Sequence, residues 1–119
     1  VSREGAAAEW RRCRRWLVPA LEDVTEAEIL EELRAGRVQL WRGERSAMLT
    51  QLVAAPEPYI LVWLGGGELD ELMALRPGVE AWARAQGARA ARINGRRGWA
   101  RALRGAGFAR CDGELRKVL

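Results

Sequence analysis

Six consecutive apolar residues, Tyr59-Ile60-Leu61-Val62-Trp63-Leu64, run without a polar interruption into Gly65-Gly66-Gly67. A run this short, and this rich in β-branched and aromatic side chains, reads as a strand buried on both faces. The glycines are expected to stop it, and Glu68-Leu69-Asp70-Glu71-Leu72-Met73 to start a helix. Strand, glycine turn and helix then form one unit around which the chain is organised. Such a turn aims bare backbone N–H groups and a helix N-terminus at one spot, which suits a phosphate. A plain tight turn uses glycines equally well.

Length and composition narrow the field. With 119 residues and 49% hydrophobic side chains, the chain is expected to form a single domain, 1–119, with one real core. No apolar run approaches the ~20 residues that cross a bilayer, so no membrane partner is expected. Val1-Ser2-Arg3-Glu4-Gly5 lacks the apolar core of a secretory leader, and the expectation is a cytoplasmic protein with Cys13 and Cys111 as reduced thiols. The two cysteines, far apart and without any histidine, do not make a zinc site. The absence of histidine also removes the usual general base and the Ser/His and Cys/His nucleophile pairs. Catalysis would have to use carboxylates, Tyr59, a thiol, backbone groups or water.

The net charge of +4 is unevenly spread. Up to Ala83 there are ten arginines against fourteen acids; from Arg84 onward, nine arginines and Lys117 face only Asp112 and Glu114. A basic C-terminal third can meet nucleic acid, an anionic cofactor or an acidic partner, or form a solvated arginine face.

The remaining elements follow in order. Ala6 to Leu17 reads as a helix, with Trp10, Cys13 and Leu17 on one face. Thr25-Glu26-Ala27-Glu28 is a capping box that starts a second helix, and Gly36 is placed to end it. Arg37 to Arg42 and Ser46 to Ala54 are expected as strands joined at Gly43-Glu44, and Pro56-Glu57-Pro58 turns the chain into the central strand. After the glycines the helical stripe runs to Gly87, interrupted at Pro77-Gly78, where the helix either kinks or restarts. Ala88 to Ile93 is expected as a strand, Asn94-Gly95 as a turn and Arg97 to Arg104 as a short helix. Phe108 to Leu119 returns as one strand or as a hairpin about Asp112-Gly113.

This gives an α+β (α/β) class, a mixed and mostly antiparallel sheet of about six strands flanked by about four helices. The order of elements resembles the GNAT superfamily of acyl-CoA-dependent N-acyltransferases over essentially the whole chain. Gly36-Arg37-Val38-Gln39-Leu40-Trp41, Glu80-Ala81-Trp82-Ala83, Gly95-Arg96-Arg97-Gly98-Trp99 and Gly107-Phe108 resemble, in their order and spacing, small GNAT-like proteins of tailed phages, prophages and gene transfer agents. Those proteins are labelled acetyltransferases or virion-associated proteins, which adds the virion to the expected locations. The resemblance implies acetyl-CoA as donor, bound at Leu64, Gly65, Gly66, Gly67 and Arg97, where the central strand splays from its neighbour. It also implies Glu68 or Tyr59 as a base acting through water. At two points the chain departs from the family pattern. Val62-Trp63-Leu64 stands where a Gln or Arg usually precedes the cofactor loop, and Leu103 stands four residues before Gly107, where family members often carry a tyrosine.

Three readings of function stay open. The first is an N-acetyltransferase acting on an amine. The second is a non-catalytic phage virion, assembly or host-interaction module on the same scaffold. The third is a nucleic-acid binder acting through Arg92, Arg96, Arg97, Arg101 and Arg104, with Trp99 either stacking on bases or anchoring its helix in the core.

Overall fold

The computed structural model describes residues 3–21, 23–94 and 97–119. Its elements, in chain order, are α1 (Arg3–Leu17), a short 3-10 turn (Val18–Ala20), α2 (Glu26–Arg34), β1 (Gln39–Arg42), β2 (Ser46–Val53) and β3 (Tyr59–Gly67). Then come α3 (Leu69–Ala85), β4 (Ala90–Ile93), α4 (Arg97–Gly105), β5 (Ala109–Cys111) and β6 (Glu114–Val118). The strands form one open sheet in the order β1-β2-β3-β4-β6-β5. Only the β3–β4 pair is parallel; the others are antiparallel. The fold is α+β: four α-helices and a six-stranded, mixed and mostly antiparallel sheet among the described residues.

The sheet separates two cores, and β2 shows how. Its side chains alternate between faces, so Ala47 and Leu49 join Trp10, Cys13, Leu17 and Ile29 from α1 and α2. Met48, between them, joins Leu72, Val79 and Ala83 of α3 and Ala100 and Leu103 of α4. On α1 the expected stripe of Trp10, Cys13 and Leu17 is almost wholly buried. At the start of α2, Thr25 Oγ1 accepts the Glu28 N–H at 3.2 Å, so this half of the capping box is formed.

The structure corrects the glycine turn. Gly65, Gly66 and Gly67 continue β3, paired with Met48, Ala47 and Ser46 of β2. The lack of side chains serves close packing rather than a turn. A β-carbon on Gly65 would stand 2.7 Å from the Trp99 ring, and one on Gly66 would stand 1.8 Å from the Trp16 carbonyl oxygen. Gly67, at φ +101°, is the position that needs glycine for its backbone, and there the chain leaves the sheet for α3. Pro77-Gly78 neither splits nor ends α3, which runs unbroken through both. The C-terminal segment is a hairpin, turned at Asp112 and Gly113, both at positive φ as a two-residue hairpin turn requires.

Candidate functional site

β3 is nine residues long and β4 only four. Their parallel pairing begins at Tyr59↔Ala90 and ends at Val62↔Ile93. On its other edge, β3 changes register against β2: Thr50 faces Val62, whereas Leu49 faces Leu64. Trp63 is therefore an extra, bulged residue. The bulge breaks the alternation of faces, and both Trp63 and Leu64 pack toward the α1/α2 core. Among the described residues, no strand pairs with β3 on its β4 side beyond Val62.

A cleft of about 810 Å³ occupies this gap. One wall is Leu61 to Gly65 of β3; the other is Ile93, Asn94 and Trp99. The segment between α1 and α2 closes a third side with Pro19, Ala20, Leu21, Asp23 and Val24. Asp23, an exposed residue, is the one titratable group among these wall residues. The cleft is thus an open groove whose lining mixes polar and apolar surface, with an exposed carboxylate at its mouth.

The residues proposed from sequence are divided by this geometry. Leu64 and Gly65 line the cleft; Gly66 and Gly67 do not. Glu68 lies at the end of the strand, where its N–H donates to the Arg45 carbonyl at 3.1 Å and its carboxylate pairs with Arg45 Nε at 2.8 Å. Tyr59 begins the same strand, about 25 Å from its far end at ~3.3 Å per residue, with the Arg92 guanidinium 3.8 Å above its ring. Tyr59 and Glu68 therefore cannot share one reaction centre. Arg92 is also drawn toward Glu114, at 3.8 Å. Arg96 and the side chain of Arg97 lie outside the described residues. Arg101 and Arg104 are exposed on α4. Leu103, at the position of the family tyrosine, is buried in the core.

Nor do the glycines form an open phosphate cradle. The first turn of α3 is already supplied with negative charge by Asp70 and Glu71. Glu71 reaches back to the β1–β2 hairpin, accepting the Arg45 N–H at 2.8 Å and the Ser46 hydroxyl. Those two hydrogen bonds, the Ser46 hydroxyl first, hold the Glu71 carboxyl below its ordinary range. The glycine run, continuing a strand and leading into an acidic helix start, therefore does not fit a diphosphate.

Asp23, Asn94 and the Pro19–Val24 wall were not singled out by the sequence reading. No local signal marks them, because this wall is set by how the chain between α1 and α2 lies against β3. Cys13 is buried, and burial pushes its thiol pKa up; Cys111 is exposed, and neither forms a disulfide. No group of side chains suited to a metal ion occurs among the described residues. No helix among them is long and apolar enough to cross a membrane. The described residues thus form an α+β fold with an open, splayed sheet and a cleft at the splay. Comparison with protein-family models, curated proteins and solved structures finds no match for it.

Proposed function

We propose that this chain is a GNAT-like N-acetyltransferase of the phage type, taking an acetyl group from acetyl-CoA and delivering it to an amine. One observation carries the reading: β3 and β4 stop pairing at Val62↔Ile93, and a deep cleft fills the space beyond. The donor's pantetheine arm would lie there against Trp63, Leu64 and Gly65, held by free backbone groups as an added strand would be. The amine nitrogen attacks the thioester carbonyl carbon, the C–S bond breaks and an amide forms. The departing thiolate takes a proton from solvent, since Leu103 has none to give. Asp23, at the mouth, is assigned the proton lost by the amine, a role that the sequence reading gave to Glu68 or Tyr59.

Calorimetry with acetyl-CoA tests the binding step. Asn94→Trp, an exposed position on the cleft wall, should weaken binding about tenfold or more without lowering the melting temperature. Asp23→Asn should leave that binding in place and lower the rate of amide formation. No heat with the unaltered protein would remove the enzyme reading. It would leave the alternative, a non-catalytic phage virion, assembly or host-interaction module, which the acidic start of α3 favours.

The nucleic-acid reading rests on a different observation. Arg101 and Arg104 are exposed on one face of α4 and make no ion pair among the described residues. Binding to DNA that weakens steeply with salt, and less steeply in Arg101→Ala/Arg104→Ala, would support it. Silence at low salt would end it.

A further inference from the structure

The helical layers cover the two faces of the sheet unequally. On the α3/α4 side, Ala91 and Ile93 of β4 and Leu115 of β6 are buried in the core. Their neighbours along each strand belong to the other face. There the core under α1 and α2 draws on β1, β2 and β3, and on no residue of β4, β5 or β6 among those described. Ala90, Arg92, Glu114 and Arg116 are accordingly only half-buried, and Val118 is 87% exposed. On this bare half the Arg92 guanidinium lies 3.8 Å above the Tyr59 ring. The register sets Arg92 between Leu61 of β3 and Arg116 of β6.

Two guanidinium groups here share one carboxylate. Glu114 Oε1 accepts from Arg116 Nε at 3.2 Å and from its Nη2 at 2.8 Å, and stands 3.8 Å from Arg92 Nη1. Asp112, the other acid of the C-terminal third, lies 3.9 Å from the same Arg116 and is mostly exposed. Arg92 Nε is enclosed and donates to no acceptor among the described residues. Arg92 is thus the cation left short of an anion.

We infer that the bare half of the sheet is a platform for single-stranded nucleic acid, a base stacking at Tyr59 and Arg92 while a phosphate completes the partners of Arg92 and Arg116. An uncovered sheet that sets guanidinium groups beside an aromatic ring holds single strands by stacking and charge together. An acidic peptide would answer the charge but make no use of the ring. The strand's path runs over β4 and β6, because Glu28 and Glu31 of α2 line a groove with Gln51 and Trp63 on the other flank and repel phosphate. The platform is separate from Arg101 and Arg104, whose helix packs on the opposite face through Ala100 and Leu103. It is also independent of the acyltransferase reading.

The test is fluorescence anisotropy of a labelled decathymidylate titrated with the full chain. Binding should weaken with salt, each platform arginine that meets a phosphate adding about 0.7 to the slope. Arg92→Lys keeps the charge but loses the planar group, so the slope should stay while affinity falls about fivefold or more. Tyr59→Phe keeps the ring and should bind as the native chain does, whereas Tyr59→Leu should lose about fivefold or more. A duplex of the same length, its bases already stacked, should bind more weakly than the single strand despite its greater charge. That comparison needs no variant and stands if Tyr59→Leu does not fold. Binding that ignores Arg92→Lys and Tyr59→Leu but is lost in Arg101→Ala/Arg104→Ala overturns the platform in favour of α4. A duplex that binds as tightly as the single strand, or a decaglutamate that displaces the oligonucleotide at equal concentration, overturns the stacking role. Absence of binding at low salt overturns the platform and the α4 reading together and leaves the acyltransferase reading untouched.

Discussion

The two halves of β3 are one continuous strand with opposite environments. From Tyr59 to Val62 it has a neighbour on each edge, β2 and β4. From Trp63 to Gly67 it keeps β2 alone, beyond a bulge that shifts its register by one residue. The first half is held by side-chain burial, with Ile60 fully enclosed. The second is held by what its glycines lack, since a ring and a carbonyl group occupy the places where β-carbons would stand. A strand can thus anchor a fold at one end and open a cleft at the other. The change needs only a shorter neighbour and one extra residue.

The largest effect expected from breaking this comparison lies in the first half. Ile60→Ala should cost roughly 2–5 kcal/mol in denaturant unfolding, as for any fully enclosed core side chain. In the second half, Gly66→Ala should also destabilise, by about 1–3 kcal/mol or more, because the obstacle is the Trp16 backbone and cannot swing away. A melting temperature unchanged in Gly66→Ala would show that α1 does not close on the strand as described. Leu61→Ala lies one residue from Ile60 but on the half-exposed side, and should cost only about 1 kcal/mol. Equal losses at Ile60 and Leu61 would mean that β3 is buried on both faces after all.

The smallest effect concerns the tie between the hairpin and α3. The folded-state pKa of Glu71 is lowered, chiefly by the Ser46 hydroxyl and the Arg45 N–H. Its contribution is therefore present above the ordinary carboxylate pKa and is lost as pH falls through the lowered one. Glu71→Gln should flatten this part of the acid side of the stability profile. An unaltered profile would show that the carboxylate is not held there in solution.

Much of this was legible in the sequence because it depends on local pattern. The stripe of Trp10, Cys13 and Leu17, the Thr25 cap and the apolar run from Tyr59 each signal through neighbours a few residues away. The paired strands, their order of appearance and the flanking helices followed from such signals. The glycine run was misread for the opposite reason. Three glycines look like a turn locally, yet their partners are Trp99 and Trp16, far away in sequence. The candidate site was half legible. Leu64 and Gly65, named from the sequence, line the cleft, but the wall of Pro19, Ala20, Leu21, Asp23 and Val24 is set by how α1 and the turn after it lie against β3. Tyr59 and Glu68 were offered as alternative bases by their chemistry, and they stand at opposite ends of β3.

Amide hydrogen exchange tests the contrast within β3 most directly. In the free protein, amides of Tyr59–Val62 should exchange at rates near those of global unfolding, and those of Trp63–Gly65 faster. Added acetyl-CoA should slow Trp63–Gly65 and leave Tyr59–Val62 as they were. Protection that appears only at the Tyr59 end, or no change anywhere in the strand at saturating donor, would contradict the claim that the open half of β3 is a binding cleft.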